Sequence, residues 1–401
     1  MQEMSKDHGL DRAKPGKVGL NTDALDRLGD VLKREIGEGR IPGAVAMIAR
    51  GGQVGYLKSF GKRDPASSDD MQDDSIFRIF SMTKPIVSMA IMQLVEQGRI
   101  LLADPLSKYI PAFADTKVGA VRDGELTMVA PDRPVTIQDL LRHTSGLTYD
   151  FVGGGEHPVQ KLYAQANLAR PDQTNADQVD ALAKLPLMNQ PGTTWDYSRS
   201  TDVLGRIVEI VTGKTLGVAL EEQILGPLGM KDTAFSVAEK NFDRIAEPLP
   251  IDPDTQAPVK LFNAKRVAQF ESGGGGLMST ALDYARFCAM LAGGGTLGKE
   301  RIIGPTILEF MASDHLGPEV RRGSDLLPPG HGFGLGFAVR TATGMASVPG
   351  SEGLFYWGGI AGTTFWIDPQ EDLFALMMIQ APGQRDYYRM LFRTLVYAAV
   401  E

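Results

Sequence analysis

Cysteine is almost missing from this sequence. Cys288 is the only one in 401 residues, which excludes an intrachain disulfide and any site built from paired thiolates. It falls in "ALDYARFCAMLAGG", a run of helical periodicity in which a thiol behaves as a small apolar core side chain. Histidine is sparse as well. The five histidines, at 8, 143, 157, 315 and 331, are scattered with no H-E-x-x-H spacing, so a metal site has little support. His143 in "LLRHTSGL" and His331 in "GHGFGLGF" lie in turn-rich segments without an Asp or Ser at an indicative spacing and read as structural. No G-x-S-x-G occurs, which argues against the nucleophile elbow of α/β-hydrolases. Eighteen uninterrupted apolar residues are found nowhere, so no membrane span is expected. The opening "MQEMSKDHGLDRAKPGK" lacks the apolar h-region of a secretory leader, and the expectation is a cytoplasmic protein. Positive charge is in deficit: 41 Lys and Arg against 49 Asp and Glu give a net charge of -8, without the basic stripe that a phosphate backbone demands. Nucleic acid is therefore excluded as a partner.

What is present is ordinary soluble composition, with 43% hydrophobic and 22% charged residues in a chain long enough for one large domain or two intimately packed ones. "NTDALDRLGDVLKREIGEGR" carries a cap, leucines at helical spacing and a closing glycine. "GAVAMIARGGQVGYLKSFG" reads as a hairpin around Gly51-Gly52, and "GTTFWIDPQEDLFALMMIQ" as a second strand pair before the amphipathic "QRDYYRMLFRTLVYAAV". Between them, helical runs such as "TIQDLLRHTS" and "TDVLGRIVEIVTGKT" alternate with long Pro/Gly/Asp-rich loops. The pattern predicts an α/β (α+β) fold: an antiparallel sheet built from both chain ends and flanked by helices, with a mainly helical inserted lobe. The expected division is a sheet domain over 1–90 and 271–401 and a helical domain over 91–270, with the active site between them.

Two glycine-rich signals are set aside. "GGGTLG" at 293–298 fits G-x-G-x-x-G but follows a helix, where a dinucleotide fingerprint follows a strand. "TGKT" at 212–215 lacks the first glycine of a phosphate loop, since Val208 stands there. S-x-x-K occurs twice. Ser59 and Lys62 enclose Gly61 and precede "RDP", which breaks a helix, whereas Ser81 and Lys84 open the apolar helical run "SMTKPIVSMAIMQLVEQG". A serine at a helix N-terminus sits where free N–H groups and the dipole favour negative charge, and a lysine one turn on shares its face. Alone, the motif fits an N-cap serine beside a solvated lysine equally well. Two further segments accompany it: "QPGTTWDYSRS", a Pro-Gly turn leading to Trp195 and Tyr197 before a helix, and "YWGGIAGTTFWIDP", where paired glycines let a ligand approach the backbone.

In this order and spacing, "SMTKPI", "LVEQGRILLADPLSKYIP", "LLRHTSGL", "PGTTWDYS", "GGGLMSTALDYARFCAML" and "YWGGIAGT" resemble the serine hydrolases of the class C β-lactamase and penicillin-binding-protein superfamily, most closely the family VIII carboxylesterases. The likeness covers nearly the whole chain and implies a β-lactamase/DD-peptidase-like fold. It implies Ser81 as nucleophile, Lys84 as its partner and Tyr197 as the tyrosine of the second motif. Trp357, Gly358 and Gly359 would form the third motif, Tyr149 would bind substrate, and the backbone N–H groups of Ser81 and Ile360 would form the oxyanion hole. The family's lactamases and peptidases carry Lys-Thr-Gly where this chain has Trp357-Gly358-Gly359, and an asparagine where it has Arg199. Losing the lysine removes a charge-assisted contact to an anionic substrate, and the indole adds apolar surface.

The expected function is a serine carboxylesterase that hydrolyses short-chain neutral esters through an acyl-enzyme on Ser81, with weak turnover of cephalosporins. Lys84 and Tyr197 are expected to share a proton as a coupled pair. No metal and no organic cofactor is needed, and the expected partner is a small-molecule ester, with oligomeric state left open. The alternatives are a β-lactamase, D-amino-acid peptidase or amide hydrolase of the same superfamily and, more remotely, a non-catalytic penicillin-binding-like protein.

Overall fold

This computed structural model describes residues 10–401; residues 1–9, which hold His8 and the first part of the stretch read for a leader, lie outside the described residues. Seven strands form one antiparallel sheet. They are β1 (Gly43–Arg50), β2 (Gln53–Gly61), β3 (His331–Phe333), β4 (Ala338–Arg340), β5 (Phe355–Gly358), β6 (Thr364–Asp368) and β7 (Leu373–Met378), in the order β3-β4-β5-β6-β7-β1-β2. The sheet is thus drawn from both ends of the chain, as the pattern predicts. β1 and β2 turn through Gly51 and Gly52, both with positive φ (60° and 70°), the conformation that a two-residue hairpin requires.

Both faces of the sheet are covered, which is why β1 and β7 read as continuous apolar runs rather than as alternating ones. Val45, Met47, Ala49, Phe374, Leu376 and Met378 face the larger core, whereas Ala44, Ala46, Ile48, Leu373, Ala375 and Met377 face the smaller one. The smaller core is closed by α1 (Thr22–Gly37) and α5 (Arg385–Tyr397). Asn21 caps α1 through its side chain on Ala24 N–H, Leu25, Leu28 and Leu32 turn inward, and Tyr388 Oη donates to buried Glu35 at 3.0 Å across the two helices.

The larger core packs around α2 (Thr83–Glu96), α3 (Ser200–Thr212) and α4 (Ala281–Ala292). Every residue of α2 from Thr83 to Leu94 is buried, which suits its mostly apolar sequence, with Thr83, Lys84, Ser88 and Gln93 as the buried polar members. The middle of the chain is mostly helix and loop, apart from the short strand Thr194–Trp195, which pairs with Arg321–Arg322, and one hairpin. Val118–Arg122 and Glu125–Val129 form a two-stranded hairpin that the sequence reading does not anticipate. Val118 and Gly119 are buried and Leu126 and Val129 pack against the core, but Val121 and Met128 are exposed and no alternation runs its length; the Asp123-Gly124 turn, with φ of 52° and 84°, is the signal that marks it. Among the described residues, no helix is long and apolar enough to cross a membrane.

Candidate active site

Ser81 sits in a single 3₁₀ turn, Phe80–Met82, that runs into α2. The turn is held from several sides. Phe80 adopts φ of +43° and packs edge-on against Phe262 at 5.2 Å, Tyr284 Oη donates to the Met82 carbonyl at 3.0 Å, and Leu277 N–H donates to Thr83 Oγ1 at 3.1 Å. Ser81 is half-buried, while Lys84, one turn on, is fully buried at 1% exposure.

Lys84 Nζ has three oxygen partners: Gly274 carbonyl at 2.6 Å, Tyr149 Oη at 3.1 Å and Ser81 Oγ at 3.2 Å. A carbonyl can only accept, and an ammonium has three protons, so the three contacts account for every N–H of a charged lysine. Burial pushes the Lys84 pKa down, but the neighbouring Tyr149 and Tyr197 and the carboxylate of Asp202 outweigh it, and the net shift is upward. The net shift favours the ammonium form of Lys84 near neutral pH. Gly274 is itself fixed: its N–H donates at 2.9 Å to Asp202 Oδ1, which also accepts from Ser272 Oγ at 2.6 Å. Neither Gly274 nor Asp202 emerges from the sequence reading. The glycine run 273–276 is their only trace, and it marks close approach, since a Cβ on Gly273 would come within 2.5 Å of the Thr201 carbonyl of α3.

Two tyrosines meet the lysine differently. Tyr149 bonds it through the hydroxyl, and burial pushes the Tyr149 pKa up to about 12 although Lys84 opposes the shift, so this phenol stays neutral near pH 7. The Tyr197 ring lies under the ammonium, with Nζ 4.6 Å from its centroid, and its oxygen accepts from the indole Nε1–H of Trp357 at 3.1 Å. Indole is a donor only, so Trp357 presents a neutral hydrogen bond to the tyrosine oxygen. The structure thus brings Ser81, Lys84, Tyr149, Tyr197 and Trp357 into one cluster. Tyr149 stands inside the proton network, a place that sequence spacing alone does not reveal.

Arg199 lies over the Tyr149 ring at 5.1 Å, pairs with Asp150 at 3.3 Å and approaches Asp202 at 4.0 Å. Its charge is met by two carboxylates of the chain itself. His143 is buried and packs on Tyr197 with centroids 4.8 Å apart; its Nδ1 accepts from Ser198 N–H at 3.3 Å. Burial, assisted by the charge of Lys84, holds its pKa well below the usual histidine range, so it is a neutral brace for the Tyr197 loop. His331 Nδ1–H donates to the Pro329 carbonyl at 3.0 Å, and burial lowers its pKa to about 4. The second S-x-x-K pair comes apart: Ser59 Oγ donates to Asp73, and Lys62 bonds Asp70 at 2.7 Å. Cys288 is buried in α4.

Gly358 ends β5, and the turn that follows is seated on the nucleophile segment. A Cβ on Gly359 would lie 2.4 Å from the Ile79 carbonyl, so only glycine admits this approach, and Gly359 N–H donates to the Thr363 carbonyl at 2.8 Å. Among the described residues the Ile360 N–H donates to no other group of the chain. Phe151, Phe262 and Ile360 leave apolar surface exposed around these elements.

Comparison with known proteins gives a consistent picture. The sequence profile described as Beta-lactamase matches residues 25–398. Protein Rv1367c of Mycobacterium tuberculosis is 37% identical over 352 residues, which cover 85% of this chain and 86% of the relative. Esterase EstB of Burkholderia gladioli is 31% identical over 391 residues, covering 93% and 95% respectively. The solved structure of EstCE1, described as a hydrolase with promiscuous acyltransferase activity, superposes with a TM-score of 0.79 at 29% identity, covering 93% of this chain and 98% of that one.

Proposed function

The chain belongs to the beta-lactamase family of serine hydrolases and has esterases among its relatives, and from that premise we propose that it is a carboxylesterase acting through an acyl-enzyme on Ser81. The observation that carries this reading is the Trp357 indole on the Tyr197 oxygen. At a position where the family's lactamases hold a lysine, the donor to the tyrosine is neutral and apolar, which favours uncharged substrates. Arg199 does not restore the missing cation, because Asp150 and Asp202 already neutralise it. In this reading the site lies between the sheet domain drawn from both ends of the chain and the mainly helical domain, 91–270.

In this mechanism Ser81 attacks the ester carbonyl while its proton passes to the Tyr197 oxygen. For this step Tyr197 must enter as the phenolate, the proton that the pair shares being held on Lys84, whose ammonium lies 4.6 Å from the ring centroid, while Tyr149 keeps its own proton near neutral pH. The tetrahedral oxyanion is met by the N–H groups of Ser81 and Ile360, each donor of this kind being worth about 3 kcal/mol of barrier. The proton on Tyr197 goes to the leaving alkoxide and the acyl-enzyme remains; Tyr197, again a phenolate, then takes a proton from water as the water oxygen attacks the acyl carbon, and returns it to Ser81 Oγ as the acid leaves. The exposed apolar rim of Phe151, Phe262 and Ile360 favours a second use of that acyl-enzyme, transfer to an alcohol in place of water, an acyltransferase activity of the kind ascribed to EstCE1.

The test pairs labelling with a substrate panel. A fluorophosphonate should modify Ser81 and leave Ser59 unmodified in peptide mass spectra. Among p-nitrophenyl esters from acetate to decanoate, acyl chains of about two to six carbons should give the highest kcat/KM, with a chromogenic cephalosporin far behind. A protein that prefers the cephalosporin would refute the ester assignment.

A further inference from the structure

Arg389 performs no task in the chemistry above, yet its guanidinium lies against the strand that forms one wall of the site. It stands in the second turn of α5 and rests flat on Gly358, where any Cβ would come within 2.6 Å of Nη2 and 2.9 Å of Nε. Nη2 donates to the carbonyl of Gly359 and reaches that of Thr363 at 3.5 Å, while Nη1 reaches Asp386 Oδ1 at 3.4 Å. Nε is buried without a partner. Burial lowers the pKa of this group to about 10, far enough above neutrality that the charge persists.

The carbonyl that Arg389 grips is half of a peptide unit whose other half is the N–H of Ile360. A trans peptide is planar and points its C=O and N–H in opposite directions, and every described peptide bond is trans. A donor holding the carbonyl from the α5 side therefore turns the N–H toward the other side, where Gly359 abuts the Ile79 carbonyl two residues before Ser81. The contact also polarises the unit: electron density drawn to the oxygen leaves the N–H more positive, as in a chain of hydrogen bonds. Gly362 N–H adds a second donor to the same carbonyl at 3.0 Å.

Resting on the reading of Ile360 as an oxyanion donor, we propose that Arg389 is a positioning residue for acyl transfer, aiming and polarising the Gly359–Ile360 peptide toward the charge that forms on the substrate oxygen. A cation behind the peptide acts where negative charge develops and touches no part of the bound ester, so its effect belongs to kcat and not to KM. A guanidinium that only clamps α5 to the sheet would instead lower stability and leave the chemistry of the folded fraction intact.

The experiment compares wild type with Arg389→Met, Arg389→Gln and Arg389→Lys on a short p-nitrophenyl ester, with thermal unfolding of each. The neutral variants should lose about tenfold or more in kcat with KM within about threefold, a smaller loss than the 10²–10³ that follows removal of an oxyanion donor itself, and Arg389→Lys should recover part of it. A slowly deacylating cinnamoyl ester supplies an independent signal. The infrared band of the acyl-enzyme carbonyl should move to higher wavenumber in the neutral variants and partly back in Arg389→Lys. Either neutral variant, if folded, with wild-type kcat and an unmoved band overturns the inference. A wild type that fluorophosphonate fails to label at Ser81 overturns the esterase reading instead, so the two failures are separable.

Discussion

Ser81 and Ser59 open the same four-residue pattern, and what separates them is the partner each hydroxyl finds. Ser59 donates its hydrogen bond to Asp73, whereas Ser81 accepts one from the Lys84 side chain and keeps its own O–H to give away. The sequence distinguishes the two through helix continuity, because Gly61 ends one run and Pro85 is tolerated in the first turn of the other. It separates the two tyrosines only through the family resemblance, which gives Tyr197 to the second motif and Tyr149 to substrate binding; that the Tyr149 hydroxyl meets Lys84 across 65 residues of chain is decided by packing. Their roles separate in mutants. Tyr197→Phe removes the proposed proton acceptor and keeps the ring, so kcat should fall by at least about a hundredfold, the lower end for general acid-base catalysis. Tyr149→Phe removes one of three acceptors from Lys84 and should cost less than Tyr197→Phe. Steady-state kinetics on p-nitrophenyl butyrate decide it, and a larger loss in Tyr149→Phe would move the proton acceptor to that residue.

At the scale of elements, the site is assembled where the turn after β5 leans on the turn before α2. Gly359 makes the contact, and the demand on it is space rather than backbone angle, because its φ is not among the positive ones. Gly359→Ala would drive a methyl group against the Ile79 carbonyl and push the Ile360 N–H away from Ser81. We expect kcat/KM to fall by about 10² or more, the range for a lost oxyanion donor, while Gly37→Ala at the end of α1, where the added methyl meets nothing within 4 Å, leaves it unchanged. Wild-type activity in Gly359→Ala would show that the turn can yield without harm. The strands themselves were legible because β1 and β7 are buried on both faces and read as apolar runs. The hairpin over residues 118–129 was not, since it is buried at its Val118 end while Val121 and Met128 are exposed and interrupt any alternation, and the Arg389 contact with Gly359 joins a helix to a loop with no shared pattern.

For the whole molecule, two sets of buried groups give stability opposite slopes with pH. His143 and His331 are held neutral by burial, His331 with a pKa near about 4, so acid below about 6.5 protonates the unfolded chain first and favours unfolding. Asp196 and Asp283 act the other way. Burial raises the Asp283 carboxyl to about 6 and that of Asp196, whose Oδ1 has no partner, to about 7. An unfolded aspartate titrates near about 3.9, so between about 4 and 7 the unfolded chain has released a proton that native Asp196 still holds; raising the pH through that window destabilises the fold, and the loss is complete above about 7. Because the histidine slope opposes it, the curve of the wild type alone does not isolate the carboxyl, but a difference between two proteins does. Asp196→Asn keeps the shape and removes the titration. Its urea midpoint, taken relative to wild type, should rise steadily from pH 4.5 to 7 and then stay level, with the histidine contributions cancelling in the subtraction. Midpoints that run parallel over the whole range would mean that Asp196 ionises in the native protein as it does in the unfolded chain, and that its burial beside Tyr197 carries no cost at neutral pH.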